Sequence, residues 1–430
     1  MQDESAAKCG TGVPGLDDIC GGGLPRACLY LVEGTPGVGK TTLFQASELE
    51  LEELTRLLLS TIEKGKPQRV VIDSLSELRL LTQSPLRFRR QVLSLKQRLA
   101  EAGCTVLMLD DRNSQEGDAH IHSIVHGAIL LTAARLGYGV FRRYLALTKL
   151  RATRFREGNH DYIIRRGGIQ VFARLVAAEH QAAAEKRTGS SGNARLDQLL
   201  GGGLHYSTST LLIGPAGSGK STVAMMYAHA AALRGEHVRY YMFDETAATL
   251  LARAKEMGID FAPLIKAGRI SLEQIDPAEI APGELAYRIR RSVESDKTRM
   301  VVLDSLNGYI NAMPQEDFLQ LHLHELVTYL NQQGVMTLMV LAQSGLIGPM
   351  GTPIDVSYLA DGVVVFRYFE AMGEVKKAVS VIKKRSGAHE NTVRELRMTA
   401  KGVIVGEPLT NFQGVLTGVP QIVGGGERKP

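Results

Sequence analysis

The sequence predicts an α/β protein of two tandem domains that share one fold, each with a mostly parallel central sheet flanked by helices. Three observations predict it. A leader with a Leu-Asp pair and a glycine triplet at 16–24 recurs at 196–204. A glycine-rich loop between an apolar strand and a helix follows each leader. The strand VVIDSL at 70–75 recurs as VVLDSL at 301–306.

The composition changes between the two repeats. Residues 178–192 turn from Ala- and Glu-rich helix formers to a Gly/Ser/Thr stretch, which is typical of a domain boundary. We therefore expect a first domain over 1–180 and a second over 186–420. Residues 421–430 carry Gly, charge and Pro without an apolar period, so a flexible tail is expected.

Charge and composition exclude several classes of protein. Fifty Lys plus Arg against 45 Asp plus Glu leave a net charge of only +5, which does not predict a nucleic-acid-coating protein. Four cysteines without a CxxC pair argue against a zinc ribbon and are consistent with a reducing cytoplasm. No apolar run approaches the length that spans a bilayer, so no membrane contact and a cytoplasmic location are expected.

Two loops match the phosphate-binding pattern GxxxxGK[ST]. Each lies between a strand and a helix, the context that the pattern requires. Glycine lets backbone amides turn inward around phosphates, and the helix N-terminus adds partial positive charge. Lys40 and Lys220 are expected to reach the β- and γ-phosphates of ATP. The predicted ATP-binding residues are Gly34, Thr35, Pro36, Gly37, Val38, Gly39, Lys40, Thr41 and Thr42 in the first loop, and Gly214, Pro215, Ala216, Gly217, Ser218, Gly219, Lys220, Ser221 and Thr222 in the second.

A carboxylate ends each of the two repeated apolar strands. Asp73 and Asp304 are expected at the carboxyl end of a buried parallel strand, beside the phosphate loop. We interpret them as Walker B residues that hold Mg²⁺ through its water shell, while Thr41 and Ser221 supply hydroxyl ligands. The alternative is that each Asp caps the turn into the following serine.

Paired acids follow another strand of the second half. Asp244 ends the run RYYMFD and Glu245 follows it, about one strand–helix unit after the phosphate loop. Two adjacent carboxylates at a strand end suit the task of orienting and deprotonating water, with one as the base and the other as its partner. The alternative is a helix N-cap at Asp244, with Glu245 complementing the helix dipole.

The doubled leader, the doubled VV[IL]DSL strand, the paired acids and a late K-x-R resemble the KaiC family of RecA-like clock ATPases over nearly all of both halves. The resemblance implies a double-ringed homohexamer with ATP held between subunits, and regulatory protein partners. It also implies that Lys149, Arg151, Lys383 and Arg385 reach the γ-phosphate of the adjacent subunit and stabilise transition-state charge. Without the resemblance, these cations would be interpreted as a solvated basic face.

The same resemblance implies autophosphorylation in the second domain. When Asp361 of YLADGVVVF is aligned with the family's Asp, Ser357 falls on the phosphorylated serine. Tyr358 falls on the adjacent threonine and Thr352 on a third hydroxyl position. The Thr-to-Tyr change puts the family's two-site cycle in doubt. The alternative for Ser357 is a polar turn residue.

The first half is shorter than the second by about 51 residues. Lys220 and Asp304 are 84 residues apart, whereas Lys40 and Asp73 are 33 apart. The missing stretch corresponds to the paired-acid strand and its helix, so no catalytic base is assigned in the first domain. We hypothesise that the natural chain carries this segment and that it is absent near 46–47. A normal trans peptide there, about 3.8 Å between Cα atoms, would indicate a degenerate first domain instead.

Other polar clusters leave alternatives open. Asp110 with Asp111, and Gln343, end strands beside the loops and are interpreted either as γ-phosphate sensors or as turn caps. The histidines at 120, 122 and 126 lack further ligands for a metal site. The alternative functions are a DNA-dependent recombinase or helicase motor and a nucleotide-gated scaffold with negligible turnover. The first would require a basic stripe, and the interspersed acids argue against one.

Overall fold

Aliphatic and β-branched runs form the strands of both halves, and a computed structural model describes most of the chain. The chain divides into two compact units, Met1–Arg174 and Leu175–Pro430. Residues 181–186, within the predicted linker, lie outside the described residues. The described residues are 7–43, 64–80, 84–111, 119–135, 139–180, 187–311, 316–345, 356–400, 402–417 and 420–422.

In the described part of the first unit, seven strands form one sheet in the order β4-β5-β3-β6-β7-β8-β9. The four strands from β4 to β6 are parallel, and the remaining pairings are antiparallel. A short pair, β1–β2, precedes the sheet. The strands are β1 Lys8–Cys9, β2 Leu24–Pro25, β3 Leu29–Gly34, β4 Arg69–Asp73, β5 Thr105–Asp111, β6 Gly127–Ala134, β7 Arg142–Leu150, β8 His160–Arg165 and β9 Gly168–Phe172; the helices are α1 Pro14–Ile19, α2 Lys40–Leu43, α3 Leu75–Leu80, α4 Pro85–Glu101 and α5 Ala119–Ile124.

The second unit has a nine-stranded sheet within its described residues, in the order β14-β13-β15-β16-β12-β17-β18-β19-β20. Strands β14 to β17 of this order are parallel, and β18 to β20 continue it antiparallel. The strands are β10 Thr188–Gly189, β11 Leu204–His205, β12 Thr208–Gly214, β13 His237–Met242, β14 Ile270–Gln274, β15 Thr298–Asp304, β16 Met336–Ala342, β17 Gly362–Ala371, β18 Glu374–Lys384, β19 Val393–Thr399, β20 Gly402–Pro408, β21 Phe412–Gln413 and β22 Gln421–Ile422; the helices are α6 Ala194–Leu199, α7 Lys220–Leu233, α8 Ala247–Glu256, α9 Ala262–Lys266, α10 Pro282–Ser295, α11 Leu306–Asn311 and α12 Glu316–Gln332, with a 3-10 turn at Ala177–Glu179.

The two sheets match strand for strand except at one edge. The predicted phosphate loop follows β3 in the first sheet and β12 in the second, and β4 and β15 end at the predicted Walker B residues Asp73 and Asp304. In the second sheet β13 and β14 continue beyond β15. Among the described residues of the first sheet, β4 is the edge strand. The join near 46–47, on which the missing-segment hypothesis depends, lies outside the described residues.

The central strands of the second sheet are covered on both faces. Met300, Val301, Val302 and Leu303 of β15 are all fully buried. Alternate residues join two separate apolar clusters, one with α7 and one with α10 and α12. A parallel strand between two helical layers requires this continuous apolar run. The predicted α/β class, with parallel central strands flanked by helices, is confirmed. No described helix is long and apolar enough to cross a membrane.

Candidate nucleotide sites

The second phosphate loop connects β12 to α7. Gly217 and Gly219 have φ angles of 73° and 109°, which glycine adopts without steric cost. A Cβ at Gly219 would lie 2.0 Å from Met398 Cε, so a larger residue does not fit without a shift. The 14-residue helix α7 begins directly after the loop, at Lys220. Amides of the turn and the positive end of the helix dipole therefore meet at one point, which favours a bound phosphate.

Lys220 is buried at the start of α7, with 5% of its surface exposed. Its Nζ donates to Pro215 O, 2.7 Å away within the same loop. Burial lowers the pKa of Lys220 to about 8, and the charge of Asp304 opposes that shift. Because an approaching anion stabilises the charged form of the ammonium, this environment fits the predicted triphosphate contact.

Asp304 lies at the same edge of the sheet, with both carboxylate oxygens bonded. Ser221 Oγ donates to Oδ1 at 3.1 Å, and Tyr240 OH donates to Oδ2 at 2.6 Å. Burial raises the pKa of Asp304, whereas the hydrogen bonds from Tyr240 and Ser221 lower it. A hydroxyl and a carboxylate in contact beside a phosphate loop are oxygen donors of the kind that Mg²⁺ prefers, so this pair fits the predicted metal.

The paired acids lie beside Asp304, because Met242 of β13 pairs with Asp304 of β15. Ser305 Oγ donates to Asp244 Oδ2, and Arg253 Nη2 lies 2.5 Å from Glu245 Oε1. Burial raises the pKa of Glu245, Arg253 lowers it, and the charges of Asp304 and Asp244 raise it further. A carboxylate with a raised pKa accepts a proton more readily, which suits a general base.

Two other predicted residues of the second loop make contacts within the protein. Ser218 is fully buried, and its hydroxyl donates to Pro215 O at 2.8 Å. The hydroxyl of Thr222 lies 3.7 Å from Met257 Sδ. These side chains stabilise the loop and the first turn of α7.

The first phosphate loop has the same turn geometry. Gly37 and Gly39 have φ angles of 82° and 94°. Thr41 Oγ1 donates to Asp73 Oδ2 at 2.7 Å, as Ser221 does to Asp304. Asp73 is exposed on the edge strand, whereas Asp304 is 8% exposed. The hydroxyl–carboxylate pair is therefore present in both units, but it is more open to solvent in the first.

Lys40 forms an ion pair for which the described residues of the second unit show no counterpart at Lys220. Its Nζ lies 2.6 Å from Asp111 Oδ1 and also donates to Gly34 O and Thr35 O. The neighbouring Asp110 accepts hydrogen bonds from Ser76 and Arg79, each at 2.8 Å. The sequence indicated a strand-end sensor or cap at these acids, but not an ion pair with the loop lysine.

The predicted trans-acting cations lie away from the phosphate loop of their own unit. β7 runs antiparallel to β6, so Leu150 pairs with Gly127 at the start of β6, whereas Gly34 pairs with Leu131 further along it. Lys149 and Arg151 therefore lie at the end of the first sheet opposite the phosphate loop, where β6 begins. Their side chains donate to the carbonyls of residues 122 and 123 at 2.5 and 2.9 Å.

The second unit repeats this arrangement around Ser357. Lys383 Nζ donates to Ser357 O at 3.0 Å and to Ala360 O at 2.7 Å, and Arg385 Nη2 donates to Tyr358 O at 3.2 Å. Ser357 is half-buried, and Tyr358 is 50% exposed. Thr352 lies outside the described residues. The candidate phosphorylation site and the candidate cations thus belong to one hydrogen-bonded segment.

The histidines make contacts within the protein. His122 Nε2 lies 3.1 Å from Glu33 Oε2, and burial lowers the pKa of His126. His322 contacts the hydroxyl of Tyr309, and burial lowers the pKa of His322 to about 4. The side chain of His120 lies outside the described residues. Within the described residues, no group of three or more His, Cys, Asp or Glu side chains could hold a metal ion.

Comparison with known proteins gives consistent matches along the chain. A family model described as "ATPase: KaiC" matches residues 9–46, 44–176 and 189–410. The first two stretches meet where the halves differ in length. The circadian clock oscillator protein KaiC of a Prochlorococcus marinus strain is 24% identical over 482 residues, covering 97% of this chain and 96% of the relative. The circadian clock protein KaiC3 of a Synechocystis strain is 22% identical over 485 residues, covering 98% and 96%.

Proposed function

Because the chain belongs to the KaiC family of ATPases, we propose that it hydrolyses ATP in the second unit at the interfaces of a homohexameric ring. The same site phosphorylates Ser357 of a neighbouring subunit. Nucleotide and phosphate state then change the surfaces that bind regulatory proteins, so the ring acts as a switch.

The observation that carries this proposal is the convergence of four side chains at one sheet edge. Lys220 and Ser221 begin α7, Asp304 ends β15, and Glu245 lies in the turn between β13 and α8. Lys220 would balance charge on the β- and γ-phosphates, while Ser221 and Asp304 would hold Mg²⁺. The metal, when bound, would neutralise developing charge on the phosphates.

Glu245 is the base in this proposal. It would orient a water for in-line attack on the γ-phosphorus and accept the water's proton as the bond to ADP breaks. Asp244, bonded to Ser305, fixes the start of the segment that carries Glu245. Arg253 holds the Glu245 carboxylate at 2.5 Å and so limits the orientations that it can adopt.

The position of the cations supports catalysis between subunits. Lys383 lies near the end of β18 and Arg385 follows this strand, at the end of the sheet opposite their own phosphate loop, because Gly362 of β17 pairs with Lys384. A head-to-tail contact joins two different surfaces, and its repetition closes into a ring when the rotation between neighbouring subunits closes. Such a contact would bring these cations against the next subunit's loop, where they would stabilise transition-state charge.

The same contact would present Ser357 to the neighbouring ATP. Lys383 holds the Ser357 carbonyl, so the serine and the cation would move to the loop together. The Ser357 hydroxyl would attack the γ-phosphorus, its proton would pass to Glu245, and ADP would leave. The tyrosine at 358 places a bulkier hydroxyl where the family resemblance implies a threonine, so we expect phosphate on Ser357.

One experiment tests the proposal. The full chain is incubated with Mg²⁺ and γ-labelled ATP, phosphate release is measured and labelled peptides are mapped. We expect steady release and label on the Ser357 peptide, both lost in Lys220→Ala and retained in Lys266→Ala, which alters an exposed lysine. Absence of label from the Ser357 peptide would contradict autophosphorylation. ATP-dependent assembly without turnover would favour a scaffold, and stimulation by single-stranded DNA would favour a motor.

A further inference from the structure

The ammonium group of Lys40 has a complete set of acceptors within the protein. A lysine has three N–H donors. Those of Lys40 point to Gly34 O at 2.8 Å, Thr35 O at 3.1 Å and Asp111 Oδ1 at 2.6 Å. The Lys40 side chain is 8% exposed and the Asp111 side chain 35%, so the ion pair is shielded from water mainly around the lysine. A phosphate oxygen that binds Lys40 must displace one of these three acceptors.

The second unit has no carboxylate at the equivalent position. In the first sheet Gly34, which opens the loop, pairs with Asp111 of β5. In the second sheet Gly214 pairs with Ala342 of β16. Among the described residues, the hydrogen-bond acceptor at Lys220 Nζ is Pro215 O. Within the part of the chain that the structure describes, the two loops therefore differ in the Asp111 carboxylate next to Lys40.

The main chain at Asp111 is held in register. Besides the pairing of β5 with β3, the Asp111 amide donates to Ser76 Oγ at 3.2 Å. Ser76 in turn donates to Asp110, which also binds Arg79. Asp111 thus starts from a fixed position beside the loop, and only its side chain can turn away from an incoming phosphate.

We propose that Asp111 determines nucleotide specificity in the first unit, so that the first loop prefers a nucleoside diphosphate, whereas the second loop prefers a triphosphate. The loop lysine contacts the β- and γ-phosphates of a bound triphosphate. In the first unit a γ-phosphate would compete with the Asp111 carboxylate for Lys40 and would be repelled by it. A diphosphate lacks the group that competes most directly. The first site then reports bound ADP while the second turns over ATP.

This specificity depends on the proposed nucleotide binding at both loops, so the test measures binding and preference separately. The full chain carries Lys220→Ala to disable the second loop. Dissociation constants for Mg²⁺-ADP and the non-hydrolysable triphosphate AMP-PNP are measured by displacement of a fluorescent ADP. Asp111→Ala removes the carboxylate, and Asp111→Asn keeps its shape without the charge. The reciprocal variant Ala342→Asp is measured in a Lys40→Ala background.

We expect the ratio of the AMP-PNP to the ADP dissociation constant to fall roughly tenfold in both Asp111 variants, since a repulsive charge is removed. Ala342→Asp should raise the same ratio at the second loop. If Asp111→Asn binds both nucleotides but the ratio stays within twofold of its parent's, the proposed role of Asp111 is wrong. Nucleotide binding at the first loop would still stand. Failure of the first loop to bind either nucleotide, with or without Asp111, would overturn nucleotide binding at that loop as well.

Discussion

Tyr240 donates its phenolic hydrogen to Asp304 Oδ2 at 2.6 Å, from a fully buried position in β13, the strand that pairs with β15. The other oxygen, Oδ1, accepts from Ser221. Burial raises the pKa of Tyr240 well above its ordinary value, so the hydroxyl remains a donor. The carboxylate that we propose as a Mg²⁺ ligand is thus oriented by a hydrogen bond from a buried tyrosine.

We expect Tyr240→Phe to weaken Mg²⁺ binding at the proposed site. The variant leaves Asp304 Oδ2 without a donor, which costs about 1–2 kcal/mol in the free energy of unfolding. Loss of an outer-shell partner lowers metal affinity by roughly tenfold or more. The measurement is the Mg²⁺ concentration for half-maximal ATP hydrolysis, together with chemical denaturation.

Tyr241→Phe is the matched control, because Tyr241 is equally buried but packs in the cluster on the other face of the sheet. We expect it to affect stability without changing the Mg²⁺ requirement. An equal change of the Mg²⁺ requirement in both variants would mean that Tyr240 acts only through packing.

Removal of the proposed base should abolish turnover without abolishing binding. Glu245→Gln keeps the size and a hydrogen-bond partner for Arg253 but cannot accept a proton, so ATP hydrolysis should fall by about 10²–10⁴-fold. Affinity for Mg²⁺-ATP should change little. Glu256→Gln, an exposed position on α8, is the control and should hydrolyse ATP at the wild-type rate. Undiminished turnover in Glu245→Gln would transfer the role of base to another residue.

Binding of ATP to the second loop should take up a proton at alkaline pH. The pKa of Lys220 is lowered to about 8 in the free protein, and a bound polyphosphate raises it by favouring the charged ammonium. Near pH 9 the free lysine is mostly neutral and the bound one charged, so binding consumes a proton. Near pH 7 Lys220 is already charged in both states.

Calorimetric titration with Mg²⁺-ATP in buffers of different ionisation enthalpy measures this proton. The experiment uses the Lys40→Ala background, so that only the second loop contributes. Lys220→Arg is the comparison, since arginine stays charged throughout. Equal proton uptake by Lys220→Arg and its parent at pH 9 would assign the proton to a different group.

Local patterns predicted the parts of the site that lie in one stretch of chain. The strand–loop–helix context of Lys220, and Asp304 at the end of an apolar strand, could be recognised from residue types and spacing alone. The contact of Tyr240 with Asp304 could not, because it depends on which strand lies next to β15. The signal available in the sequence was a tyrosine in the strand-like run RYYMFD, whose alternating residues face one side of a sheet.

The ion pair between Lys40 and Asp111 shows the same limit. The two residues are far apart in sequence and meet only because β5 pairs with β3 in one register. The sequence did indicate that the first half lacks the counterpart of β13. Among the described residues, β4 is accordingly the edge strand of the first sheet.

A subunit-mixing experiment tests most directly whether the second site is completed by a neighbour. Lys220→Ala lacks the loop lysine but keeps Arg385, whereas Arg385→Ala keeps the loop lysine but lacks the arginine. The two are produced with different tags, and rings that contain both are purified. If Arg385 acts on the adjacent subunit, about a quarter of the second-unit sites in evenly mixed rings regain both groups, and ATP hydrolysis returns well above that of either variant alone. Mixed rings no more active than the separate variants would contradict catalysis between subunits.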